Sequence, residues 1–218
     1  MNKWKESEYF KLDMITAAIC LIALFIGACF YNQMPTQLPI HYDSSNQPDN
    51  YASKGIVLFL MPVLVMIIHL VVCRVMESDL RQKNTPAVMQ YVSRFILPIT
   101  AIMVEVISIM YVTYDGINVS RITGTFLGIL FLLIGNYLPK CKYNHTVGYR
   151  IPWTLASESN WNKTHRFAGI LMVISSIGII ICAILDQIPV VVTLLIVDVL
   201  VPSIYSYVLS RKELASNK

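Results

Sequence analysis

Charge is scarce in this chain of 218 residues. Asp, Glu, Lys and Arg make up 14% of it, where soluble domains carry about 25%, and 56% of its residues are hydrophobic. That balance excludes an ordinary soluble domain and makes the bilayer the expected solvent. Paired cysteines are missing too. Cys20, Cys29, Cys73, Cys141 and Cys182 show no metal-type spacing, and all but Cys141 fall in or at the end of apolar runs, so they read as packing residues and no metal is expected. The sequence also lacks a nucleophile with an adjoining base, a zinc-type ligand cluster and a phosphate-cradling glycine loop. A membrane enzyme is therefore disfavoured, with no catalytic residue and no cofactor nominated. The net charge of +4 is accounted for by basic loops and gives no support for direct nucleic-acid binding.

Long uncharged runs are what the chain does have. Residues 14–31, 55–73, 122–138 and 167–185 contain no Asp, Glu, Lys or Arg, while 95–114 and 188–209 hold one acid each, Glu105 and Asp198. Each run approaches the roughly 20 residues with which a helix crosses a hydrocarbon core. The expected fold is an all-α membrane protein, a six-transmembrane-helix bundle. Its orientation follows from the excess of Lys and Arg that cytoplasmic loops carry beside spans. With the N- and C-termini cytoplasmic, all of the 17 Lys and Arg except Lys54 and Arg121 lie on the inner side. Glu6, Glu8 and Asp13 in the leader, and the length of the first run, argue against a cleaved signal, although Ile26-Gly27-Ala28-Cys29 loosely resembles a lipoprotein cleavage box.

Two halves are expected. Residues 1–94 hold the first two spans and an outer loop, and residues 95–218 hold the other four with a polar inner island at 139–166. The outer loop, 32–54, has Pro35 and Pro39 followed by turn formers at Asn46, Pro48 and Asp49, which favours a small extended and turned extracellular segment over a helix. The connection at Asp186-Gln187 is so short that spans five and six must be an antiparallel hairpin. Gly124-x-x-x-Gly128 allows close helix contact, read here as packing within the chain.

The island is the densest concentration of Trp, Arg, His and Pro. It contains Val147-Gly148-Tyr149-Arg150-Ile151-Pro152-Trp153-Thr154-Leu155, then Trp161, His165, Arg166 and Gly169. Pro152 fixes φ and pushes Ile151 towards extended geometry, so the run should turn rather than continue a helix. A guanidinium beside an indole binds carboxylate, phosphate or an aromatic face. The alternative is an interfacial belt of Tyr149, Trp153 and Trp161 with Arg150 on lipid phosphate. Ser157 or Thr154 is placed to cap a helix with Glu158 in its first turn, and on that helix Trp161, His165 and Gly169 share a face. Lys140, Lys142, Arg150, Lys163 and Arg166 suit anionic headgroups or a cytosolic protein, and charge alone does not separate the two.

The run Gly148-x-Arg150-x-Pro152-Trp153-Thr154-Leu155, the downstream Trp161 and the exit His165-Arg166-x-x-Gly169 resemble the SdpI family. The outer loop, with Pro35-x-x-x-Pro39-x-His41, the turn Pro48-Asp49 and the entry Ser53-Lys54, resembles DUF1648, although Ser45-Asn46 stand where that domain often has glycine. The resemblance implies a multi-pass protein of the bacterial cell membrane that gives immunity against a secreted toxic peptide. It also implies signalling, with a cytosolic transcriptional repressor drawn to 139–166. The implied partner surface is Gly148, Arg150, Pro152, Trp153, Thr154, Trp161, His165 and Arg166, and the implied extracellular set is Pro39, His41, Pro48, Asp49 and Lys54.

His69, Glu105 and Asp198 are the expensive residues within the spans, since a carboxylate near the bilayer centre costs at least about 2.5 kcal/mol and must be neutral, paired or turned inward. At about 1.5 Å per residue, His69 and Glu105 come within about one helical turn of equal depth, so the two are expected to pair. These three residues also support a different class of function, a small proton-coupled transporter or channel.

Overall fold

The computed structural model describes residues 9–81 and 84–216. Among them six helices are long and apolar enough to cross a membrane. By its contacts the chain divides into two compact units, Met1–Ser78 with Tyr91–Val119, and Asp79–Gln90 with Ser120–Lys218. Packing thus groups the third span with the first two, whereas the reading by motifs placed a boundary at 94/95. Lys3, Lys5, Glu6, Glu8, Lys83 and Lys218 lie outside the described residues.

The first unit contains α1 (Phe10–Phe30), a hairpin of β1 (Gln37–Tyr42) and β2 (Pro48–Ser53), α2 (Met61–Ser78) and most of α3 (Ala87–Thr113). The loop expected to be extended is an antiparallel pair with Leu38 opposite Ala52 and Pro39 opposite Tyr51, and bulges on either side of His41. Leu38 anchors it, packing with Met34, Val57, Leu58 and Ile109 in one buried cluster. Burying such a side chain is worth about 1.5–3 kcal/mol. At the tip, the Asp43 carboxylate accepts from the amides of Ser45 and Gln47, both at 2.8 Å, and Asn46 takes the left-handed conformation at φ 62°. Asn46 has a second role. Its side-chain nitrogen donates to Ile117 O at 2.9 Å and its oxygen accepts from the Val119 amide at 2.8 Å, which staples the tip to the turn after α3. Asn tolerates φ > 0 better than most residues, and this explains how the tip closes without a glycine.

Two helices in this unit begin earlier than the uncharged runs suggest. The run starting at 14 becomes a helix from Phe10, and the one starting at 95 becomes a helix from Ala87. Both extensions have one cause. Arg94 Nε donates to Asp13 at 2.6 Å and Arg94 Nη2 to Glu77 at 2.6 Å, with the Arg94 and Asp13 side chains wholly buried. The guanidinium also lies 4.4 Å from the centre of the Tyr9 ring. Charges that would end a span if solvated are satisfied internally, so the helices continue through them.

The second unit contains α4 (Val119–Tyr137), the short α5 (Pro152–Ala156), α6 (Glu158–Ile184) and α7 (Ile188–Ser216). The hairpin of the last two turns through Leu185, Asp186 at φ 58° and Gln187, a connection short enough to force antiparallel packing. Gly124 and Gly128 bring α4 against α6. A Cβ on Gly128 would stand 2.5 Å from the Ile180 side chain, and one on Gly124 would stand 2.9 Å from Ala183 Cβ. The small-residue spacing is therefore used within the chain.

Candidate functional site

The island folds by side-chain bonds to backbone rather than by regular secondary structure. Asn144 is buried and uses both ends of its amide: the oxygen accepts from the amides of Thr146 at 2.9 Å and Val147 at 2.7 Å, while the nitrogen donates to Lys142 O at 2.9 Å and Val147 O at 3.1 Å. The stretch before α3 meets it. Asn84 O accepts from the Lys142 amide at 3.1 Å, and Asn84 Nδ2 donates to Tyr143 O at 2.7 Å. The Asp79 carboxylate accepts from the amides of Arg81 and His145, each at 2.9 Å, and from the Thr146 hydroxyl at 3.0 Å.

Burial pushes the Asp79 carboxyl up, but the bonds from Arg81, His145 and Thr146 outweigh it and hold the group below its ordinary value. A lowered folded-state value means stability present above the unfolded pKa, about 3.9, and lost as the pH falls through the folded one. Protection of the Arg81 and His145 amides from hydrogen exchange, corrected for intrinsic rate, is therefore expected to hold from pH 7 to about 5 and to fall only in stronger acid. Asp79→Asn should show the loosened loop already at pH 7. A loop that loosens between pH 7 and 5 in the native chain contradicts the assignment.

At the centre, Trp161 and His165 are fully buried and stacked, ring centres 4.0 Å apart at 17°. Trp161 Nε1 donates to Cys141 O at 2.8 Å. His165 Nδ1 lies 2.8 Å from Trp161 O, and Nε2 faces the Tyr149 amide at 3.1 Å. The only tautomer that serves both carries its proton on Nδ1 and accepts at Nε2. Gly148 makes this possible. Its φ is +130°, and a Cβ there would overlap His165 Nε2.

Around this centre the chain turns as Pro152 dictates. Ile151 is extended, and the Thr154 hydroxyl accepts from the Ile151 amide at 3.2 Å and reaches Tyr149 O at 2.5 Å. Ser157 caps α6 by accepting from the Asn160 amide at 3.2 Å. Tyr149 makes the bond that ties the island to the last span, its hydroxyl donating to the carbonyl of Asp198. That carbonyl needs a partner because the residue four positions on is Pro202, inside α7, which has no N–H to offer. Burial first, and the acid of Asp198 second, push the Tyr149 phenol up to about 12, so it keeps the proton it donates.

The residues nominated from sequence separate into a hidden frame and a displayed rim. Thr154, Trp161 and His165 are buried, whereas Gly148, Arg150, Pro152 and Arg166 are exposed, and half-buried Trp153 packs edge-on against Tyr207 with centres 5.1 Å apart. The belt alternative fails for Trp161, which is enclosed by protein. Among the outer candidates, His41 pairs with Asp49 at 2.5 Å on the exposed hairpin between Pro39 and Pro48. Lys54 is a clamp, donating to Tyr31 O at 2.9 Å and Met34 O at 3.1 Å where the first helix ends. The expected His69–Glu105 pair does not form. His69 is turned to α1 and bonds Thr16 Oγ1 at 2.9 Å, while Glu105 Oε1 is buried with no hydrogen-bond partner among the described residues, facing Gly27. Equal depth fixed only the axial coordinate of each residue; the rotation of each helix decided the partner. Asp198 accepts from Ser175 at 2.6 Å. Sequence reasoning missed Asp79, Asn144, Tyr149 as a bonded group, and the Asp13–Arg94–Glu77 cluster. Charged residues hard against both ends of uncharged runs were the available signal for the last.

Six apolar helices and an ordered polar loop between the fourth and fifth spans define a multi-pass membrane protein. Residues 140–206 match the SdpI/YfhL protein family, and residues 18–66 match DUF1648, a domain of unknown function. The chain is a multi-pass protein of a bacterial membrane, and its last third is similar to the SdpI/YfhL family. It is 29% identical to "Immunity protein SdpI" of Bacillus subtilis (strain 168) over 164 residues, which is 75% of this chain and 77% of that protein. It is also 38% identical over 47 residues to "Uncharacterized membrane protein YbgB" of the same organism, covering 22% of this chain and 52% of that one. No solved structure matches.

Proposed function

We propose that this chain is a membrane immunity protein: it engages a secreted toxic peptide from the outer or membrane side and keeps it from permeabilising the bilayer. The observation that carries this reading is its similarity, across three-quarters of its length, to a protein named for immunity. Both termini and the island face the cytoplasm in this reading, as the distribution of Lys and Arg favours. The frame supports a second role for the island, presenting Arg150, Trp153 and Arg166 to a cytosolic repressor. Peptide binding that favours one packing of the helices would alter that display, and about 1–3 kcal/mol of coupling is enough for a switch. No chemistry is required of the chain, only differential binding.

The test is expression in a sensitive bacterium challenged with a secreted toxic bacterial peptide, with native chain, Arg150→Ala and Trp153→Ala at matched abundance. The native chain should protect, and each variant should lose protection or signalling by about tenfold or more, the effect of about 1.4 kcal/mol at a contact residue. Full protection and signalling in both variants would remove the rim from the mechanism. The transporter reading predicts ionophore-sensitive flux in proteoliposomes. Geometry gives it less support, because His69 is bonded to Thr16 and not to Glu105.

A further inference from the structure

Between the hairpin tip and the turn joining α3 to α4, both parts of the first unit, lies an open cleft of about 410 Å³. Its walls include Asn46, Gln47, Tyr111, Tyr114, Asp115 and Asn118. Three properties set it apart. It is rigid at its base, because Asn46 bonds Ile117 O and the Val119 amide across it. It is acidic, since none of its wall residues is basic and the exposed Asp115 carboxylate has no hydrogen-bond or ion-pair partner among the described residues. It is aromatic at the mouth, with Tyr114 65% exposed at the end of a membrane-length helix. The first amide of α4 beside it is already taken by Asn46.

We infer that this cleft binds a cationic group of an extracellular peptide, a lysine or arginine side chain or a free amino terminus, with Asp115 as counter-ion and the Tyr114 face as its platform. A carboxylate and aromatic faces attract an ammonium or guanidinium, while the exposed Gln47 amide can accept from or donate to the peptide backbone that follows it. The site is built for a chain end or loop rather than a buried small molecule, being open and polar where small-molecule pockets are enclosed and apolar. This inference rests on the immunity reading for its choice of partner, and it places the outer contact at the hairpin tip instead of at His41, Asp49 or Lys54.

The test uses the full chain in phosphatidylcholine nanodiscs, which carry no net charge, and a short dye-labelled peptide of alternating Lys and Gly with a Gln-for-Lys counterpart. The Lys peptide is expected to bind about fivefold more tightly than the Gln peptide, the effect of one exposed ion pair with a cation–π contact. Asp115→Asn should reduce that preference below about twofold, and Asp115→Lys should reverse it, with helix content unchanged because the residue is exposed. Equal binding of the two peptides by the native chain, or an unchanged preference in Asp115→Asn, overturns the site. Failure here is separable from failure of the broader reading: protection of cells without a Lys preference sinks the cleft alone, and a Lys preference without protection sinks immunity alone.

Discussion

Replacing Arg94 with leucine is expected to destabilise the first unit by about 3–5 kcal/mol, the cost of leaving buried carboxylates without their counter-ion. The guanidinium holds Asp13 and Glu77 together, and the Arg94 and Asp13 side chains are wholly inaccessible. Removing it takes away the positive charge that lies between two carboxylates, one of them wholly buried. The measurement is thermal unfolding in detergent alongside the amount recovered from membranes, both of which should fall sharply. A companion variant identifies the cause. Asp13→Asn, Glu77→Gln and Arg94→Met together remove the charges while keeping volume, and should recover most of the loss, because replacing a whole buried ion cluster by neutral groups is often neutral or stabilising. A single variant as stable as the native chain would show that water reaches the cluster.

Gly148→Ala should have the next largest effect, and a local one. Placing a side chain at φ +130° costs about 1–3 kcal/mol in backbone strain. The added methyl also displaces the imidazole of His165, which is stacked on Trp161 and accepts from the Tyr149 amide. The expected result is a lower melting temperature with loss of amide protection at Tyr149, while the hairpin cluster around Leu38 stays intact. Protection or signalling should fall with it, since Arg150 and Trp153 are positioned by the same turn. Normal protection at the Tyr149 amide in the variant would mean that the turn has another way to close.

Span number and type were legible because lipid selects for uncharged runs of helical length, and six such runs are six helices. Their starts were misjudged where charge compensates charge inside the protein, at Asp13 and Arg94, a relation between residues 81 positions apart that hydropathy along the chain does not carry. In the island, the turn at Pro152, the Ser157 cap and the shared face of Trp161 and His165 followed from local rules and are present. Which of its residues are displayed did not follow. Trp and His suit a membrane boundary and an enclosed stack equally well, and the outcome depends on Asn84 and Asp79 closing over the loop from another part of the chain. Lys54 shows the same limit: a lone outer cation reads as a binding group until the carbonyls of Tyr31 and Met34 are seen around it.

The bond from Tyr149 to the carbonyl that Pro202 leaves open bears on how this protein is made. Residue 149 is made well before residue 202, so the donor exists before the carbonyl that needs it. The last helix is one internal backbone bond short at Pro202, and a side chain from another part of the chain supplies it. The last span therefore depends on the island for one of its own backbone bonds, so loosening the loop also weakens the helix it touches.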